Sequence, residues 1–157
     1  LESQGLQFEG ADASLELFLR KAFGQYDDFF QLKNLKLIIE KNEDSPITAE
    51  AMVKLTIGEK TFHTAAEGDG PVNALDNSLR KAITEVYPEI GEMHLSDYKV
   101  RVLNGNEGTA ARVRVLIESA DQKSKWSTVG VSENIIEASW QAIVDSINYL
   151  LFKKQMT

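Results

Sequence analysis

Glu67-Gly68-Asp69-Gly70-Pro71-Val72-Asn73 brings two glycines, an acid, a proline and an amide to the junction between a strand-like alternation and a helix-like periodicity. A backbone that turns sharply and then opens a helix leaves N–H groups without intrahelical partners, and such groups can hold a carboxylate or another small anion. The stretch is not a nucleotide cradle, because no Lys-Ser or Lys-Thr pair follows it and Asn73 stands where Gly-x-Gly-x-x-Gly requires its last glycine. A plain strand-to-helix turn, with Asp69 bonding its own downstream backbone, is the other reading of the same residues. A comparable junction recurs at Val129-Gly130-Val131-Ser132-Glu133-Asn134-Ile135-Ile136. Two such bends, each after similar strands, suggest a duplicated binding module and not a catalytic centre.

Reactive constellations are sparse. The chain has no cysteine, which removes disulfides, thiolate nucleophiles and thiolate metal sites. His63 and His94 are too few for a histidine metal cluster, and no His-x-x-x-His pair occurs. Gly-x-Ser-x-Gly is absent. Ser132 is expected as the N-cap of the last helix, where its hydroxyl would accept a backbone N–H. Asp69 and Asp97 could do acid–base work only if they converged, and nothing in the sequence marks them as a mutually perturbed pair. The expectation is therefore no catalytic residue and no metal ligand, with a small hydrolase or transferase built on Asp69, His63 and Asp97 as the enzymatic alternative.

A chain of 157 residues holds one domain, or one domain with an appended segment. Its net charge of −7, with Lys and Arg scattered, argues against a nucleic-acid partner. No apolar run approaches the roughly 20 residues that span a bilayer, so no membrane partner is expected. Leu1-Glu2-Ser3-Gln4-Gly5 lacks the basic start and apolar run of a signal peptide. These features lead to an expected cytoplasmic location, and the absent initiator Met to an excised fragment.

The elements that must position the glycine bends follow from periodicity. Ala11 to Phe23 predicts a helix with Leu15, Phe18, Leu19, Ala22 and Phe23 on one face and Gly24 as its stop. Residues 29–40, 49–57 and 61–66 alternate as strands, the last two joined by Gly58-Glu59-Lys60. Val72 to Val86 then carries Leu75, Leu79, Ala82, Ile83 and Val86 at helical spacing, with Pro71 suited to the first turn. The pattern repeats: a strand at 95–102, a turn at Asn104-Gly105-Asn106-Glu107-Gly108, and a strand at Ala111-Arg112-Val113-Arg114-Val115-Leu116-Ile117 that matches Ala51-Met52-Val53-Lys54-Leu55-Thr56-Ile57 in character. Another strand follows at 125–129, and a helix is marked by Ile136, Trp140, Ile143, Ile147 and Leu150. The predicted fold is α+β: two pseudo-symmetric βββα units that pack together, preceded by a linker helix. The expected boundaries are a linker subdomain at 1–30 and a second domain at 31–157, with repeat units at about 31–88 and 94–153.

Taken together, these motifs resemble the carboxy-terminal regulatory domain of the 2-isopropylmalate synthase and citramalate synthase family. Glu67-Gly68-Asp69-Gly70-Pro71-Val72-Asn73-Ala74-Leu75 is similar to that domain's first signature. Gly130-Val131-Ser132-Glu133-Asn134-Ile135-Ile136-Glu137-Ala138-Ser139-Trp140 is similar to its second, and Leu6 to Ser14 resembles the preceding linker helix. The resemblance implies an allosteric and dimerisation domain that binds a branched-chain amino acid for feedback inhibition. It implies a homodimer, and a partner in the catalytic TIM barrel of the same polypeptide, where a divalent metal and acetyl-CoA would act; this fragment itself would hold no cofactor and catalyse nothing. By motif matching, the effector's polar end would meet Gly68, Asp69, Gly70, Val72 and Asn73, and its side chain would rest among Leu95, Tyr98, Val102, Thr109 and Ala111. The segments at 135–142 and 145–149 look closer to the citramalate branch, which answers to isoleucine; leucine serves the isopropylmalate branch. A dimerisation module without any ligand remains the structural alternative.

Overall fold

The computed structural model describes residues 8, 10–103 and 111–156. Helix α1 (Asp12–Ala22) is followed by strands β1 (Gln31–Glu40), β2 (Thr48–Ile57) and β3 (Lys60–Gly68), then helix α2 (Pro71–Ile83). A 3-10 turn (Pro88–Glu92) leads into β4 (His94–Leu103), β5 (Arg112–Ala120), β6 (Lys125–Ser132) and helix α3 (Ile135–Met156). Each strand trio forms an antiparallel sheet in chain order, β1-β2-β3 and β4-β5-β6. The architecture is the expected α+β one: a helix, then βββα twice. The turn expected at Asn104 to Gly108 lies outside the described residues. The chain divides into two compact units, residues 28–91 and residues 1–27 with 92–157.

In the first of these, alternation along β2 buries Ala49, Ala51, Val53 and Leu55 on the side that α2 covers. Antiparallel register places Leu35 and Phe62 on that side too, opposite Val53 and Leu55. Leu75, Leu79, Ala82 and Ile83 of α2 complete this core, all fully buried. Gly58 turns the β2–β3 hairpin at φ +61°, a conformation that costs glycine nothing. A Cβ on Gly68 would run into the backbone of Asn73 and Ala74, so glycine is what lets the helix start this close to its strand. As a result α2 packs on β3 and β2 and barely reaches β1. Ile39 lies on the helix side of β1, opposite Ala49, yet is 54% exposed. The helix ends at Ile83 and not at the expected Val86. Tyr87 N–H bonds back to the Ile83 carbonyl, and Pro88 disfavours helical backbone for the residue before it.

In the other unit, Val115 and Ile117 of β5 and Trp126 and Thr128 of β6 lie under α3. Trp126 Nε1 donates to the Ser146 carbonyl at 3.1 Å, and Thr128 Oγ1 to the Ala142 carbonyl at 2.7 Å. Gly130 is not a bend. It sits inside β6 opposite Val115, where a Cβ would collide with the Ala138 carbonyl and the Gln141 side chain. The bend falls later, and the cap of α3 is Asn134, not Ser132: Asn134 Oδ1 accepts the N–H groups of Ile136 and Glu137 at 2.8 and 3.3 Å. Ser132 Oγ accepts the Asn134 N–H and donates to Glu137.

Helix α1 belongs to this second unit and buries a face the apolar periodicity does not mark. Ala13, Ser14 and Leu17 point inward, while Phe18, Leu19 and Phe23 are 39, 43 and 74% exposed. The reason is the free edge of β6. Val129 N–H donates to Ser14 Oγ at 2.9 Å, and Ser14 donates its proton to Asp145 at 2.8 Å. A small residue bearing one hydroxyl seals the strand edge where a large apolar residue could not. Ala11 meanwhile packs on Val129 and Val131, on the sheet face away from α3.

The close strand–helix contacts make a direct prediction. Gly130→Ala should destabilise the protein by about 1–3 kcal/mol or more, the cost of overpacking against backbone that cannot move aside. Gly91→Ala, where a Cβ meets nothing within 4 Å, should leave the melting temperature nearly unchanged. Paired thermal melts of the two variants check this, and equal melting temperatures would contradict it.

Candidate functional site

The first set of predicted residues forms one polar junction between β3 and α2. Gly70 precedes the helix in extended conformation (φ −166°), with Pro71 at the first helical position and no side chain capping the end. The junction is held by amides. Asn73 Oδ1 accepts the Asp69 N–H at 3.0 Å, and Asn77 Nδ2 donates to the Glu67 carbonyl at 3.0 Å. Asp69 thus gives its backbone N–H to Asn73 instead of bonding the downstream backbone with its carboxylate, which makes no hydrogen bond among the described residues. The Asn73 side chain carries both an acceptor and a donor. Its oxygen is taken by this turn, and its NH2 group has no partner among the described residues.

The second set lies on β4. Leu95, Tyr98 and Val102 share the side facing α3, because they stand opposite Ser119, Ile117 and Val113 of β5. Residues three apart would normally point to opposite faces of a strand. A register shift between Leu95 and Asp97 brings Leu95 and Tyr98 to the same side. Val100, opposite Val115, falls in the same row, which period-two spacing from Tyr98 and Val102 could have revealed. The row is largely uncovered: Tyr98 is 38%, Val100 43% and Val102 59% exposed. Helix α3 packs on β6 and β5, and Tyr98 reaches it through one hydrogen bond, 3.1 Å from its hydroxyl to Ser139 Oγ. Ala111 precedes β5 and is exposed, while Thr109 lies outside the described residues. The two sets belong to different compact units.

The enzymatic alternative gains nothing here. His63 stands opposite Lys54 on β3, on the sheet face away from α2. At about 3.3 Å per strand residue it is roughly 20 Å along the chain from Asp69. Asp97 bonds the Tyr98 N–H at 2.9 Å and pairs with Lys99 at 3.6 Å, both at the surface. Among the described residues no group of three His, Cys, Asp or Glu could hold a metal ion. Among the described residues no helix is long and apolar enough to cross a membrane. One cleft of about 370 Å³ opens at the start of α3, lined by Arg112, Val131, Ser132, Glu133, Asn134 and Glu137. Its two carboxylates oppose its one cation, so it is not an evident anion site.

One buried charge stands beside the first junction. Asp76 of α2 pairs with Arg80, Oδ2 to Nε at 2.9 Å, and its other carboxylate oxygen has no partner among the described residues. Burial pushes its carboxyl above the usual aspartate range, and the Arg80 guanidinium offsets this only in part.

The fold, a helix followed by two antiparallel βββα units, defines the class of domain. Residues 9–151 match the LeuA allosteric (dimerisation) domain, and the chain belongs to that family. It is 53% identical over 156 residues to the (R)-citramalate synthase of Geobacter sulfurreducens and 51% identical over 156 residues to that of Aquifex aeolicus. Each alignment covers 99% of this chain and 30% of the relative. It is 28% identical over 144 residues to the 2-isopropylmalate synthase of Aquifex aeolicus, covering 92% of this chain and 26% of that protein. The chain therefore spans about 30% of the length of the citramalate synthases it matches.

The raised Asp76 carboxyl sets a pH dependence with a definite sign. The folded state keeps this proton to higher pH than the unfolded chain, so burying the charge costs stability above the raised value. That cost is relieved as pH falls from there toward about 3.9, and below it both states are protonated. Wild type should thus gain stability relative to Asp76→Asn as pH drops from 7 to 4. Denaturant titrations at several pH values check this, and a pH-independent difference would contradict it.

Proposed function

We propose that this chain is the amino-acid-sensing and dimerisation part of an (R)-citramalate synthase, and that L-isoleucine is its effector. The observation that carries the reading is the uncovered row Tyr98, Val100 and Val102, with half-buried Leu95 on the same side. Aliphatic and aromatic side chains left open on the helix side of a sheet suit a branched aliphatic ligand. A free amino acid also needs donors for its carboxylate and acceptors for its ammonium group, since burying either unpaired is costly. The polar end is assigned to Gly68, Asp69, Gly70, Val72 and Asn73, and the side chain to the β4 row with Thr109 and Ala111, as the family resemblance implies. Similarity favours isoleucine over leucine as effector, because identity is about half with the citramalate synthases and 28–32% with the 2-isopropylmalate synthases.

In this reading the parent protein condenses acetyl-CoA with a 2-oxo acid in its TIM barrel, where the divalent metal would also be held. Effector binding alters that reaction only through a difference in affinity between two states of the whole assembly. Those two states, and the cytoplasmic location of such a biosynthetic enzyme, are part of the proposal.

Calorimetric titration of the chain with L-isoleucine, L-leucine and L-valine tests the reading. Isoleucine should bind most tightly. Moving one methyl should cost about 1–3 kcal/mol, or roughly 10–150-fold in affinity. Light scattering should give twice the 17.5 kDa chain mass. A dimer that shows no heat with any of the three amino acids at millimolar concentration would leave the ligand-free dimerisation module standing and remove the sensor.

A further inference from the structure

The uncovered flank of β4 has one fixed polar element, and the proton count around it determines what it can offer. Ser139, fully buried on α3, has Oγ 2.7 Å from the Ile135 carbonyl and 3.1 Å from the Tyr98 hydroxyl. A serine hydroxyl owns one proton. The Ile135 carbonyl can only accept, so the Ser139 proton goes there. The hydrogen bond between the two hydroxyls must therefore run from Tyr98 to Ser139, with Tyr98 the donor. With its own proton committed, the Tyr98 oxygen presents only lone pairs to anything resting on the row. The chain Tyr98 to Ser139 to Ile135 ends on a backbone carbonyl of the first turn of α3, so its direction cannot reverse while that turn holds.

We infer that Ser139 is a positioning residue of the effector site: it pins the Tyr98 ring against α3 and leaves the phenol oxygen as one acceptor for the ligand's ammonium group, in addition to the polar residues assigned above, while the ligand's side chain rests on the row. The inference rests on the amino-acid reading above and adds a residue to it. Ser139 does not touch the ligand. It acts through Tyr98, whose ring forms part of the apolar row while its oxygen supplies one acceptor at an otherwise hydrocarbon surface. Between Tyr98 and Val102 on this side lies only Val100, so no neighbouring side chain in the row can substitute as acceptor. A tyrosine on an open strand flank would otherwise sample several rotamers. Fixing it in advance lowers the entropy cost of binding.

The test is a double-mutant cycle with L-isoleucine as the probe, read by calorimetry on this chain: wild type, Ser139→Ala, Tyr98→Phe and the double variant. Ser139→Ala and Tyr98→Phe should each weaken binding by about five- to tenfold, the size of one neutral hydrogen bond. The double variant should bind no worse than the weaker single variant, because both substitutions break the same link. Melting curves of all four check folding, and Tyr98→Phe, at a half-open surface position, keeps the question answerable if the buried Ser139→Ala fails to fold. As a readout that simple packing would not move, 3-methylpentanoate, the deaminated analogue of isoleucine, should lose less affinity than isoleucine in Tyr98→Phe, because it forfeits only the pinning of the ring and not the acceptor. Affinity for isoleucine within twofold of wild type in Ser139→Ala or in Tyr98→Phe, losses that multiply in the double variant, or an equal loss for the analogue, would each overturn the inference. A wild type silent toward isoleucine, leucine and valine would remove the sensor reading itself and the role of Ser139 with it, a result distinct from any of these.

Discussion

A single helix cannot cover three strands. Strands lie about 4.8 Å apart, while a helix with its side chains is about 10–12 Å wide, so a helix on a three-stranded sheet must choose two of them. In each unit a glycine on the last strand makes that choice. Gly68 admits the start of α2 against β3, and Gly130 admits Ala138 and Gln141 of α3 against β6. Both helices are thereby drawn to the later strands, and the apolar sides of β1 and β4 are left open. The feature that looks most like a binding surface is thus a consequence of where two hydrogen atoms replace two side chains.

This constraint links fold to function more firmly than any single site residue does. An exposed apolar row on an edge strand is normally a hazard, which proteins blunt with charge or cover. Here Lys99 and Arg101 interrupt Tyr98, Val100 and Val102 along the sequence but point to the opposite face of the sheet, so they leave the row itself hydrophobic. The other edge of the same sheet is treated differently. Ser14 takes the N–H of Val129, and Gln141 takes that of Val131 at 2.9 Å. One edge is closed by two dedicated hydrogen bonds and the other keeps its apolar side bare. That asymmetry suits a domain of the LeuA allosteric (dimerisation) family, whose work is to meet a ligand and another subunit.

Most of the architecture was legible in the sequence because period-two and period-3.6 patterns alternate cleanly and then repeat. The β3–α2 junction was legible because Gly-Asp-Gly-Pro is unambiguous turn chemistry. What escaped was whatever depends on small or polar residues. Ala13 and Ser14 bury the inner face of α1, although Phe18, Leu19 and Phe23 carry the stronger apolar signal. Gly130 reads as a bend beside Ser132, yet it serves helix packing inside a strand, and the cap falls to Asn134. Leu95 and Tyr98 share a face only through a strand irregularity that spacing does not encode. Ser139 lay within a recognisable signature, but its bond to Tyr98 joins residues 41 apart, which no local pattern reveals.

The most direct measurement of the central claim is a methyl-resolved NMR titration of the chain with L-isoleucine. If the row left bare by the helix seating is the ligand surface, the methyls of Leu95, Val100 and Val102 should shift together with saturating dependence on concentration. Those of Val129 and Val131, packed under Ala11 on the opposite face of the same sheet, should stay in place. Saturable shifts confined to Val129, Val131 and α1, with the β4 methyls unmoved, would contradict the account.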